Sequence, residues 1–138
     1  MPSESAHITL ARRNSSAIAH LQTGDDGFPD WVATVAFYRA VHLVEAVFAK
    51  GGNHGHTHEG RERILKQDKA LNRLWHNYRQ LYSASIVARY LGRGNVTAFS
   101  QYMSSDQVQS ILLDHHLRQI EKTVRKLLAR KRAKRKKK

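Results

Sequence analysis

Apolar residues recur at steps of three and four along most of this chain, the spacing of helices with one buried face. Ser5 to Leu21 is the first such stretch. Ile8, Ala11, Ser15, Ile18 and Leu21 share a face, and Arg12, Arg13 and Asn14 lie away from it. TGDDG, Thr23 to Gly27, is rich in turn formers and breaks the pattern. Phe28-Pro29-Asp30 then opens a second helix: Pro29 has the fixed φ of a first turn, and Asp30 complements the positive end of the helix dipole. Trp31 to Lys50 is apolar almost all round, which predicts a central, buried helix. Among its polar exceptions, Thr34, Tyr38, His42 and Glu45 follow steps of four, four and three, so they form one stripe that needs partners where it is buried.

The sequence GGNHGHTHEG, Gly51 to Gly60, reads as a glycine-rich and mobile loop. A third helical zone covers Arg61 to Leu91, with a break near Lys66 to Lys69. Leu71, Leu74, Tyr78, Leu81, Ser85 and Ala88 make its inner face, with Trp75 and Tyr82 beside it, and Gly92 to Gly94 ends it. Ser104-Ser105-Asp106 offers an N-cap for a last helix. Val108, Ile111, Leu112, His115, Leu117, Ile120, Val124, Leu127 and Leu128 are expected inward, with His116 at the edge. Past Leu128 the apolar pattern stops. The expected fold is all-α: a bundle of about four or five helices over residues 1–128, followed by a tail over 129–138.

Charge changes this picture at one end. The net charge is +13, yet Glu121 to Lys138 holds 11 basic residues and one acidic, while the preceding 120 residues hold 13 basic and 10 acidic. The body is nearly balanced and the tail is a polycation. Ten net charges over 18 residues suit a polyanion, with binding that weakens steeply in salt. Arg125, Lys126, Arg130, Lys131, Arg132, Lys134, Arg135, Lys136, Lys137 and Lys138 are the candidate nucleic-acid contacts. No aromatic residue interleaves them, so base readout by the tail is not expected. There is no cysteine, which excludes disulfides, thiolate metal sites and a cysteine nucleophile. No continuous apolar run reaches the roughly 18 residues of a membrane span. A cytoplasmic location is expected, or a nuclear one in a eukaryote, where such a basic run is an address.

The residues FPDWVATVAFYRAVHLVEAVFAKGG, then HTHEGRERIL, then YRQLYSASIVARYL, resemble in their order the HEPN superfamily of small helical-bundle proteins. The resemblance runs from Phe28 to Tyr90 and leaves the tail uncovered. It implies a helical bundle, dimerisation, and RNA binding or metal-independent RNase activity. The family's active site pairs an Arg with a His several residues later near the start of the last helix. This chain has His115 and His116 there, with Arg118 after them and no Arg at that spacing before them.

His58 and Arg61 lie one turn apart at the start of the third helical zone. A neutral histidine is a base and an arginine holds a phosphate, a pairing that suits cleavage beside a 2′-hydroxyl. His42 and Tyr38 are the candidates to join them from the second helix. The alternative for all four is a set of polar contacts pinning loop to bundle. His54, His56 and His58 alternate and offer imidazoles to a transition metal, but ordering a glycine-rich loop costs backbone entropy, and neither metal nor cofactor is expected. The function expected from these features is nucleic-acid binding, RNA more than DNA, by an HEPN-like homodimer. The alternatives are an RNase of toxin or antiviral type, and an interaction subunit of a larger nucleoprotein assembly.

Overall fold

The computed structural model describes residues 2–24, 26–91 and 96–136; for 91, 96–98 and 130–136 only the backbone is described. Every regular element among the described residues is helical. In order these are α1 (Glu4–Leu21), α2 (Pro29–Lys50), α3 (His58–Gln67), α4 (Asn72–Ile86) with a π-helical extension (Val87–Leu91), α5 (Val96–Tyr102), α6 (Ser105–Gln107), a second π-helical segment (Val108–Leu117), and α7 (Arg118–Lys136). The sequence pattern did not register α5, and its break near Lys66 to Lys69 falls at Asp68–Leu71, between α3 and α4. The expected stop at Gly92 to Gly94 lies outside the described residues.

Local chemistry starts the helices where the sequence offers it. Ser3 Oγ accepts from Ala6 N at 3.1 Å, and Thr57 Oγ1 accepts from Gly60 N at 3.0 Å. Ser104 and Gln107 close a reciprocal capping box, Gln107 N donating to Ser104 Oγ at 3.2 Å and Ser104 N to Gln107 Oε1 at 2.9 Å. At α2 the start is made by backbone conformation instead. Gly27 and Phe28 both have positive φ, 70° and 42°, and Pro29 follows in the first turn.

α2 is the axis of the core. Val32, Ala33, Ala36, Phe37, Ala40, Leu43, Val44, Val47 and Phe48 are buried, and α1, α4 and α7 pack around them. The alanines let neighbouring backbones approach closely. Its average hydropathy over an 18-residue window does reach that of a membrane span, a measure the count of continuous apolar residues missed. Yet 72% of that window is buried inside the bundle, as in a core helix.

Two expected faces are rotated. On α1, His7, Ala11 and Ile18 are buried, but Ser15 is exposed and Asn14 is turned partly inward. On the last helix Leu112 and Leu117 are both buried although five residues apart. A π-helix bonds i to i+5 and has a wider turn than an α-helix, so a face recurs after four to five residues, as Val108, Leu112 and Leu117 do. The expected order of the paired histidines is therefore reversed. His115 is exposed and Ile111 is largely so, while His116 turns in and its Nδ1 lies 2.9 Å from Asn77 Oδ1.

α7 is clamped to the bundle at two heights. Arg39 reaches from α2 to Glu121, with Nε and Nη2 each 2.8 Å from Oε2, while its Nη1 donates to the Ala11 carbonyl of α1 at 2.6 Å. Lys50, buried at the end of α2, donates to the Leu128 carbonyl. Beyond Leu128 the helix continues to Lys136, so the backbone shows no break at 128/129 between bundle and tail.

Candidate functional site

The polar stripe of α2 separates into two settings. Toward α3 it meets the histidine loop. Glu45 is only 6% exposed, so its carboxylate needs partners. Its Oε1 accepts from Gly55 N at 3.1 Å, and its Oε2 accepts from Arg61 Nη1 at 3.3 Å. Arg61 Nε donates to Tyr78 Oη at 3.0 Å, and that hydroxyl lies 3.4 Å from His58 Nδ1. The loop is held to α2 at Gly55. Gly55 is buried, and a Cβ there would sit 2.3 Å from the Arg61 side chain. A Cβ on Gly60 would sit 2.0 Å from the Gly55 carbonyl oxygen. Two glycines are needed because two backbones cross in contact over the Glu45–Arg61 pair.

Above that pair opens a cleft of about 280 Å³, lined by Pro2, His7, Val41, His42, Glu45, His54, His56 and Arg61. His7 Nδ1 lies 3.1 Å from His42 Nδ1, so the two imidazoles hold opposite tautomers, one donating and one accepting. Burial lowers the pKa of both, and their mutual repulsion on protonation lowers His42 further. Among the described residues no group of three or more His, Cys, Asp or Glu side chains is placed to hold a metal.

His58 lies apart from this cleft. Its ring stacks on Tyr82 with centroids 3.6 Å apart and planes 13° apart. Tyr78 Oη and His58 Nδ1 share a hydrogen bond, and His58 Nε2 faces Glu62 at 3.8 Å. Burial, then the Arg61 charge, lowers the His58 pKa. Tyr78 thus occupies one of the two ring nitrogens. Burial works against the Arg61 charge, yet Tyr78 and Glu45 outweigh it and raise its pKa. Burial raises that of Tyr78.

The four sequence candidates are thus only partly gathered. His42 and Arg61 meet across Glu45, and His58 joins through Tyr78. Tyr38 belongs to the second setting, where its hydroxyl accepts from Arg89 Nη1 at 3.3 Å. His7, at the start of α1, was not singled out by the sequence; a lone histidine among small polar residues carries no signal until the fold sets it on His42. Arg89 was likewise missed. Of the tail candidates, Arg125 and Lys126 are exposed on α7. The side chains of Arg130, Lys131, Arg132, Lys134, Arg135 and Lys136 lie outside the described residues, as do Lys137 and Lys138 altogether. The sequence matches no protein-family model, and comparison with curated proteins and with solved structures gives no match either.

Proposed function

We propose that this chain is an HEPN-like helical-bundle protein that binds nucleic acid, RNA in preference to DNA, through its basic C-terminal arm. One observation carries the reading: the charge concentrated after Glu121 lies on a helix that is anchored in the bundle and continues to Lys136. A polycation on such a support displaces condensed counterions from a phosphate backbone, and its affinity falls linearly with salt on logarithmic axes. Filter binding across a salt series tests this. Deleting Arg130 to Lys138 is expected to lower affinity about tenfold or more at low salt and to flatten the slope. Unchanged affinity overturns the reading.

An RNase built on His58, Arg61, His42 and Tyr38 would cleave mixed RNAs and lose that activity in His58→Ala. The hydrogen bonding of His58 and Arg61 supports a positioning role for them instead, and cleavage by the parent chain in a gel assay is the result that would reverse this preference. Homodimerisation, implied by the same family resemblance, is tested by sedimentation of the full chain.

A further inference from the structure

The outer end of α4 carries a group of residues that the bundle does not need for its own packing. Arg89, in the π-helical extension, is surrounded by rings: its guanidinium carbon lies 5.0 Å from the Tyr90 centroid, 5.7 Å from Tyr38 and 5.8 Å from Phe37. Among the described residues its hydrogen bonds go to neutral groups. These are Tyr38 Oη at 3.3 Å, Tyr90 Oη at 3.5 Å, Ser85 Oγ at 3.3 Å and the Ser85 carbonyl at 3.4 Å. Arg39 and Arg61 are each paired with a carboxylate; among the described residues Arg89 has none within ion-pair distance. Tyr38 and Tyr90 are 40% and 56% exposed, large aromatic surfaces left in water on either side of a cation. Behind Tyr38, Phe37 packs on Tyr82, which carries the stacked His58.

We propose that Arg89, Tyr38 and Tyr90 form a subsite for single-stranded nucleic acid, Arg89 and the two hydroxyls holding a phosphate and the rings stacking on neighbouring bases. This deepens the nucleic-acid reading above and rests on it. Four of the five guanidinium donors are engaged, in long bonds of 3.3 to 3.5 Å, so the fifth and the hydroxyl protons of Tyr38 and Tyr90 are the donors offered to a phosphate. Exposed rings supply sequence-tolerant stacking worth roughly 1–3 kcal/mol per base, and only unpaired bases present a face to them. The subsite provides what the arm lacks, because the last 18 residues contain no aromatic residue. Arginine and tyrosine also anchor protein interfaces. A guanidinium with no carboxylate partner among the described residues, in a chain whose last 18 residues hold 11 basic residues and one acidic, favours the polyanion.

Fluorescence anisotropy of the full chain tests the subsite with two labelled single strands of equal length and charge, one bearing bases and one abasic. The parent is expected to bind the base-bearing strand about tenfold more tightly. Tyr38→Ala/Tyr90→Ala is expected to abolish that difference and, by removing the two hydroxyls, to weaken abasic binding by a smaller factor, and Arg89→Gln to weaken both. Arg89→Lys keeps a cation and is expected to weaken abasic binding less than Arg89→Gln does, with far-UV circular dichroism confirming folded protein. Equal binding of both strands by the parent, or a base preference that survives the tyrosine substitutions, overturns the subsite. A chain with Lys134, Arg135, Lys136, Lys137 and Lys138 changed to Gln isolates the arm. If it binds both strands like the parent, the arm reading fails while the base preference still judges the subsite.

Discussion

Single residues in this protein divide into those that hold the histidine loop and those left facing water. Arg61→Ala would strand the buried Glu45 carboxylate, and the expected loss is about 3 kcal/mol in chemical denaturation, more than a surface arginine could cost. Gly60→Ala, whose Cβ would meet a carbonyl oxygen at 2.0 Å, is expected to lose about 2 kcal/mol or more in the same experiment. The pH dependence follows from His7, His42, His58 and His116, all with pKa values lowered from 6.5, burial being the main cause at each. The unfolded chain therefore binds more protons than the folded one below about pH 6.5. Stability from these groups is complete above that value and is lost as pH falls through the lowered folded values. Thermal melts between about pH 7.5 and pH 5 are expected to show Tm dropping, less steeply in His42→Gln. Glu45 and His42 were legible as a polar stripe, and His58–Arg61 as a one-turn pair. Their partners His7 and Tyr78 were not identified as partners, because they come from segments far apart in sequence, nor was Gly55, whose close approach to Arg61 depends on the fold of the loop.

Helices were legible where 3.6-residue periodicity holds. α2 and α4 match their patterned faces, and Leu71, Leu74, Tyr78, Leu81 and Ser85 are all buried as the spacing requires. The pattern fails over Val108–Leu117, where the π-helical turn shifts the register and exchanges the roles of His115 and His116. This makes an element-scale prediction. Ile111→Lys and His115→Lys are expected to change stability by less than about 0.5 kcal/mol, while Leu112→Ala costs about 2–5 kcal/mol. Urea denaturation that ranked Ile111 with Leu112 would restore the α-helical register. α5 was illegible for a different reason: VTAFSQY is too short to show a period, and among its described side chains Phe99 is the buried one.

At the scale of the whole molecule, a balanced bundle and a polycationic helix share one chain. The split was plain from counting charges. The spacing that runs to Leu128 left room for the helix to extend into the tail, and its backbone continues to Lys136, although periodicity of apolar residues says nothing where there are none. Like charges one turn apart oppose helix formation, and an added polyanion relieves that repulsion. Circular dichroism of the full chain is therefore expected to gain helical signal with inorganic polyphosphate, and a chain ending at Ala129 to gain none. Equal responses would show that the arm's conformation does not depend on its charge.

The crossing of Gly55 over Gly60 has a use beyond stability. Carboxylate, bare backbone, bare backbone and guanidinium occur as Glu-x9-Gly-x4-Gly-Arg, from Glu45 to Arg61. Each position is fixed by contact distance or by a buried charge, whereas the hydrophobic residues around them are freely interchangeable at similar volume. Distant kin whose overall likeness has eroded should keep this fingerprint, so it is the pattern with which to look for them in genomes. The genes found beside theirs would then be an independent guide to what the bundle works with.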